Sequence, residues 1–363
     1  MIRSYILNKY LGKEFLKTVL NTSIIFFAMG FVMNLFEEIN FFKDLDVNVN
    51  IPIFLSFLFV PSLLYNFFPF VILLSGLWFF LKIKKSDELK AINISGLSNL
   101  SVIFIPSIFS IVIGIFLITA INPISSALVE KYEKIKGSYE LDQEYLAAIT
   151  ENGIWIKEKN LEKNNIIRAL YLQNENLVEV SIYEFDKNNN FTRRIEAESA
   201  NISTLKWSLK NVKIIGLSGE VLSENIEDIS YISMYDIKKI RSLYSNLNTV
   251  SFWNIESEIK LLEQRGYSTR EMETRWQRSF AFPFFLLSML LLSAFFTLGT
   301  SFNDSNWTYA FVTIFASVLI FFFNDFSAML GKTEKLPIEI AVWMPITIIF
   351  IFSAVGIIHA NQK

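Results

Sequence analysis

Apolar residues in this chain gather in six long runs that carry few charges, at 18–36, 51–81, 99–122, 279–303, 305–323 and 338–358, while charges crowd the stretch 130–278. A helix needs roughly 20 apolar residues to cross the hydrocarbon of a bilayer. A buried helix of a water-soluble domain seldom stays apolar on every side for that length. The pattern predicts six transmembrane helices, at 15–36, 53–82, 99–121, 277–299, 305–326 and 338–359. An amphipathic stretch from Ile2 to Phe15 leads into the first and is expected to lie on the membrane surface. The second contains Pro61 and Pro69, which a membrane helix tolerates when the freed carbonyls find partners.

Between the third and fourth spans the period changes to two. Leu205, Trp207 and Leu209 alternate with Lys206, Ser208 and Lys210, and Val178, Val180 and Ile182 alternate with Glu179 and Ser181. This is the signature of strands with one buried face. Asn188, Asn189 and Asn190 read as a hairpin turn, and Gly153–Lys157, Ile166–Leu172, Phe191–Ser203 and Tyr231–Met234 supply further strands. Short antiparallel strands at this spacing predict an all-β sandwich or jelly roll. From Tyr235 to Gly266 the pattern turns helical or loop-like and leads into the fourth span. No internal repeat relates the two halves, so an inverted-repeat transporter is not supported. The predicted division is 1–122 for the first three spans, 123–275 for the β-domain with its return segment, and 276–363 for the last three spans.

Orientation follows the lysines and arginines at the helix ends. The N-terminal segment (Arg3, Lys9, Lys13, Lys17) and the 82–90 loop (Lys82, Lys84, Lys85) are basic, whereas the 37–51 loop carries Glu37, Glu38, Asp44 and Asp46. Both termini and the 82–98 loop are therefore expected in the cytoplasm and the β-domain outside. The N-terminal run is too long for a typical signal peptide and no small-residue cleavage site follows it, so it reads as an uncleaved first helix.

Composition narrows the chemistry. There is no cysteine and a single histidine, His359, which excludes disulfides, thiolate metal sites, a His-rich zinc site and a Ser-His-Asp triad within the body of the chain. The net charge of −2 offers no basic field for nucleic acid. No G-x-x-x-x-G-K-[ST] loop occurs, so ATP would have to be bound by another chain. No catalytic residue, metal or cofactor is expected.

The segment 86–97 is the most informative. Ser86 can cap a small helix, Asp87 and Glu88 suit its N-terminal dipole, Leu89, Ala91 and Ile92 give it an apolar stripe, and Gly96 ends it. It reads either as a docking helix for a groove on a cytoplasmic partner or as an interfacial helix joining two spans. Asn324 and Asp325 end the apolar run of the fifth span, either at the mouth of a substrate path or at the headgroup level. Glu37, Glu38 and Lys43 beyond the first span share that ambiguity. Phe27, Phe31, Phe67, Phe68, Phe321 and Phe322 either line a lipid-accepting cavity or face lipid and neighbouring helices. Trp155 and Trp207 are core residues by default; only a sandwich open at one edge would turn them, with Ile182, into an acyl-chain groove.

The order of parts and several motifs resemble a known family, the LptF/LptG permeases of lipopolysaccharide export. The sharpest stretch runs from Val60-Pro61 through Phe67-Phe68-Pro69 to Asp87-Glu88-Leu89 and Ser95-Gly96. Others are Glu151-Asn152-Gly153-Ile154-Trp155-Ile156-Lys157, Ser181-Ile182-Tyr183-Glu184-Phe185 before the Asn-rich turn, Trp276 with Pro283, Leu336-Pro337, and Trp343 with Pro345. Together they span essentially the whole chain and lean to the LptG side.

The resemblance implies a noncatalytic permease subunit of an ABC transporter in the bacterial inner membrane. It implies an LptF-like second subunit, an LptB-like ATPase dimer, an LptC-like bridge protein, and lipopolysaccharide as cargo. Segment 86–97 would be the coupling helix, with Glu88 as its charged contact and Leu89, Ala91 and Ile92 as apolar ones. Phe27, Phe31, Lys43, Phe67, Phe68, Phe321 and Asp325 would line the lipid cavity, and Trp155, Ile182 and Trp207 the groove of the β-domain. The chain departs from the family where lysines usually meet the lipid phosphates: Asn34 to Phe42 has none, and the loop Gly299 to Asn306 lacks an arginine. Either the partner subunit supplies those contacts or the lipid is less phosphorylated. The rival classes are a membrane-anchored scaffold or adhesion protein that presents the β-domain, and an intramembrane enzyme, for which no nucleophile–base pair or metal cluster is present in the spans.

Overall fold

The computed structural model describes residues 5–43, 45, 47–86, 88–94, 98–140, 145–150, 153–159, 164–173, 175–187, 190–217, 219–233, 235, 237, 249–264, 268–298 and 306–361. Asp44, Asp46, Asp87, Ser95, Gly96, Leu97, Glu151, Asn152, Asn188, Asn189, Met234 and the loop 299–305 lie outside these residues, as does the side chain of Ala91. The chain divides into two compact units. One is Met1–Glu130 with Val250–Glu256 and Arg270–Lys363; the other is Lys131–Thr249 with Ser257–Thr269.

Among the described residues, the first unit contains six helices long and apolar enough to cross a membrane. Helix α1 runs unbroken over Tyr5–Phe41 and α2 over Asn50–Lys85, through both prolines. The amphipathic entry is therefore not a separate surface segment. Leu11, Gly12 and Phe15 are buried, and a Cβ on Gly12 would sit 2.6 Å from the Phe109 ring, so this turn packs into the bundle.

A short helix α3, Glu88–Ile94, leads to the third span. That span continues well past its expected end: α4 (Asn99–Phe116) passes through a π turn (Leu117–Ile121) into α5 (Asn122–Glu140). Composition loses its apolar character at Asn122, but the helix continues, with Val129 and Tyr132 buried along it. After a 3₁₀ turn at Phe252–Asn254 and helix α6 (Ile255–Gln264), the last three spans are α7 (Arg270–Leu298), α8 (Asn306–Lys332) and α9 (Ile338–Asn361).

Helix α7 is the hub, packed against α2, α4, α8 and α9. Of its most apolar stretch 61% is buried, against 17% for α1 and 28% for α8, so α1 and α8 offer the most unclaimed surface. Close approach depends on small residues: a Cβ on Gly114 of α4 would lie 2.6 Å from the Pro283 backbone, and one on Gly76 of α2 would lie 2.2 Å from Ser293 Oγ.

Among the described residues, the second unit holds one antiparallel sheet of eight strands: β1 Tyr145–Thr150, β2 Gly153–Lys159, β3 Asn164–Ala169, β4 Tyr171–Gln173, β5 Asn176–Phe185, β6 Phe191–Asn201, β7 Lys206–Ile215 and β8 Val221–Ile232. Their order is β1-β2-β3-β5-β6-β7-β8, with β4 also on β5. Ile154, Ile156, Ile167, Ile182, Ile195, Trp207 and Leu209 form the core.

Two details correct the period-two reading. Glu179 has a φ of 50°, which resets the phase of β5: Leu177 is buried while Val178 is only half-buried, and Ser181 is buried beside Ile182. Trp155 falls between the buried Ile154 and Ile156, so it belongs to the other face, where the Arg168 guanidinium lies 5.8 Å from its ring centre.

Side chains from both ends of the strand order meet in this unit. Asn165 of β3 donates to the Tyr231 hydroxyl of β8 at 2.7 Å; Tyr231 donates to Glu158 of β2 at 3.4 Å, and Ser233 donates to the same carboxylate. The sheet is therefore curled on itself. Beyond β8, the Tyr235 carbonyl accepts the Trp207 indole N–H at 2.7 Å and closes one end of the core.

Candidate functional site

The segment between the second and third spans is built by the ends of α1 and α2. Ser86 closes α2, its N–H bonded to the Lys82 carbonyl at 3.0 Å and its hydroxyl to Ile83 at 3.4 Å, instead of capping the small helix. The Tyr10 hydroxyl of α1 donates to both oxygens of Glu88, at 3.1 and 3.2 Å. Beside it Glu14 pairs with Lys82 at 2.5 Å. Ile92 is buried in the main core of the bundle and Leu89 packs against that core. The stripe expected to meet a partner thus seats α3 on its own bundle. The apolar side chain left outside is Ile94, 86% exposed, and Lys90 is exposed as well. Ile94 escaped the sequence reading because it falls off the Leu89–Ile92 stripe. Lys84 was also missed as a structural residue. Its ammonium donates to the Thr297 carbonyl at 2.7 Å and the Tyr309 hydroxyl at 3.1 Å, tying the ends of α2, α7 and α8 together.

The aromatic residues divide. Phe27 and Phe31 lie against Phe57, with ring centres 6.5 and 4.6 Å away. Phe67, Phe70, Phe321 and Phe322 form a chain of rings from α2 to α8, spaced 6.1, 5.2 and 6.5 Å. Phe68 does not share that surface: it is buried in the core of the bundle. Asp325 accepts from Arg278 of α7 at 2.9 Å, and its neighbour Asn324 is buried. Glu38 is fully buried, whereas Glu37 and Lys43 are exposed.

In the β-unit, Ile182 and Trp207 share the core and Trp155 does not. Burial and the negative charge of Glu158 push the Tyr231 phenol above its ordinary ionisation range. Among the described residues no group of three or more His, Cys, Asp or Glu side chains is placed to hold a metal.

Chemically, this arrangement offers apolar and aromatic surface along the spans, charges confined to their ends, and a curled sheet with an apolar interior. A sequence model of the family described as "Lipopolysaccharide export system permease LptF/LptG" matches residues 9–359, nearly the whole chain. No curated protein matches it.

Proposed function

Because the chain belongs to the LptF/LptG family of lipopolysaccharide export permeases, we propose that it works as the LptG-like half of an ABC transporter, beside an LptF-like subunit and above an LptB-like ATPase dimer. As a noncatalytic transmembrane subunit it moves lipid with energy received from that ATPase. In this reading both termini and α3 face the cytoplasm, and the β-unit stands in the periplasm and passes lipopolysaccharide to an LptC-like bridge. The arrangement of basic and acidic loops supports the orientation.

The observation that carries the proposal is the seating of α3. A helix of seven residues has little stability of its own. Here Ile92 and Leu89 anchor it to the bundle core, and Glu88 is bonded to α1, so a push on α3 reaches α1 and α2 directly. Glu88, Lys90 and Ile94 are then the groups that meet the ATPase, while Leu89 and Ile92 transmit.

The cargo grips the permease through its acyl chains, at ~0.8 kcal/mol for each CH₂ buried. The least buried spans, α1 and α8, with Phe27, Phe31, Phe67 and Phe321, provide the cavity wall, and their repacking against the partner expels the lipid.

The test is copurification. Replacing 86–97 with a Gly/Ser linker should abolish association with the ATPase, and Glu88→Ala should weaken it or uncouple ATP hydrolysis from lipid release. Unchanged ATPase association and unchanged export in the linker variant would overturn the coupling role. A photocrosslinker at Ile182 should capture lipopolysaccharide only when ATP is hydrolysed; failure there, with the β-unit still protected from proteolysis, would remove the β-unit from the path.

A further inference from the structure

Arg275 has no ion pair among the described residues, and one of its buried donors meets no acceptor. It sits in the first turns of α7, where Phe252, Trp276 and Phe280 cluster with ring centres 4.8 to 5.9 Å apart. The exposed Trp253 adjoins them and donates its indole N–H to the Thr119 carbonyl at 3.1 Å. Aromatic groups of this kind gather at the headgroup level of a bilayer.

The Arg275 guanidinium donates through Nη2 to the Val250 carbonyl at 2.9 Å, but its Nη1 is buried and meets no acceptor. It makes no ion pair among the described residues. Carboxylates on this part of the bundle pair with other cations: Glu271 with Lys332 and Asp325 with Arg278, each at 2.9 Å, and Glu334 with Arg270 at 3.5 Å; Glu271 acts on Arg275 through space without bonding it. A guanidinium has five donors and no acceptor, and a buried cation without a counter-charge is costly. Arg278, three residues on, lies on the same side of the helix, and like charges at that spacing repel. Both guanidiniums are within electrostatic reach of the Tyr65 phenol on α2.

We propose that Arg275 and Arg278 form a site for the phosphate of an anionic lipid, with the Asp325 carboxylate holding Arg278 until that phosphate takes its place. A phosphate accepts from two guanidiniums at once, which a single carboxylate partner of Arg278 does not match. It also supplies the bonded counter-charge that Glu271, paired with Lys332, does not give Arg275. The aromatic cluster sets the depth at which a lipid headgroup lies, which favours a lipid phosphate over the free ion. Two lipids carry this chemistry, lipopolysaccharide and the glycerophospholipids of the surrounding bilayer. Only the choice of the first rests on the permease reading.

The experiment measures equilibrium binding of monododecyl phosphate, with dodecyl alcohol as the uncharged control, to the full chain in phosphatidylcholine nanodiscs. Arg275→Gln and Arg278→Gln should each weaken phosphate binding about tenfold, the scale of one charge-assisted hydrogen bond. Asp325→Asn should tighten it about threefold by removing the internal competitor, and dodecyl alcohol should bind all variants alike. If Arg275→Gln fails to fold, the opposite shifts of Arg278→Gln and Asp325→Asn decide the matter. Equal losses for phosphate and alcohol, or no loss in either arginine variant, would overturn the site. A second arm compares phosphorylated lipid A, dephosphorylated lipid A and phosphatidylglycerol. Preference for phosphorylated lipid A assigns the site to the cargo. Preference for phosphatidylglycerol keeps the site and removes lipopolysaccharide as its ligand. A wild-type chain that binds no phosphate amphiphile overturns the site and leaves the permease reading to the ATPase copurification test.

Discussion

The two units differ in where most of their buried polar groups find partners. In the membrane unit most buried hydroxyls bond within their own helix, as Ser56 to Pro52 at 2.9 Å, Ser110 to Pro106 at 3.0 Å, Ser288 to Phe284 at 2.8 Å and Thr297 to Ser293 at 2.6 Å, and a few cross to a neighbour, as Ser327 to Ala341 at 2.7 Å and Ser75 to Thr18 at 3.4 Å. In the β-unit the buried groups reach across the chain: Asn165 to Tyr231, Glu158 to Ser233, Trp207 to Tyr235. The difference teaches what each solvent demands. In lipid, a helix must satisfy its backbone before it packs, so association is left to shape and to close approach at small residues. A curled sheet satisfies its interior only when distant strands arrive together, so its polar seam and its core stand or fall as one.

The largest effect expected from this contrast is in the β-unit. Trp207→Ala removes a fully buried indole together with its bond to the Tyr235 carbonyl, and should cost about 3–5 kcal/mol. That is a large share of the ~5–15 kcal/mol that holds a typical domain. Limited proteolysis of the full chain in urea should show cleavage within 145–233 at much lower urea, with the spans still protected. Equal loss of protection in the spans would break the contrast.

Next comes Gly114→Val. A Cβ there meets the Pro283 backbone, which cannot swing aside, so α4 must move off α7 at about 1–3 kcal/mol. The thermal midpoint of the bundle in detergent should fall while the urea midpoint of the β-unit holds. Gly137→Ala, with open space around its Cβ, is the control and should be neutral or stabilising by up to ~1 kcal/mol.

The same contrast explains what could be read from the sequence. Six spans were legible because lipid imposes length and apolarity on each helix separately. Strands were legible where one face is buried, as around Trp207 and Leu209. Trp155 was misplaced because a tryptophan suggests core, whereas its parity between Ile154 and Ile156 assigns the other face. Val178 was misplaced because no local signal announces the positive φ of Glu179. The continuation of the third span to Glu140, with Val129 and Tyr132 buried along it, has no apolar run to announce it. Of the candidate site, Glu88 was named from its motif, and its bond to Tyr10 of α1 was not foreseen. The inward seating of Ile92, the Arg278–Asp325 pair and the unbonded buried donor of Arg275 are tertiary facts with no local pattern.

The smallest effect expected is alkaline, and it belongs to the β-unit's seam. Burial, then the Glu158 charge, raises the Tyr231 ionisation above its ordinary value of about 10. The folded unit therefore keeps this phenol protonated where the unfolded chain has begun to release the proton. Its contribution to stability is complete below the unfolded value and is lost as pH rises beyond it toward the folded one. The urea midpoint of the β-unit should thus decline from about pH 10 upward. Tyr231→Phe should lose about 1 kcal/mol at neutral pH through the bonds to Asn165 and Glu158, and then decline less steeply in alkali than the native chain. The hydroxyls of the membrane unit, most of them bonded to their own helices, should give its thermal midpoint no matching response to this substitution. If Tyr231→Phe declines as steeply as the native chain, the phenol does not govern the seam, and the buried carboxylate of Glu158 must be held by its other partners alone.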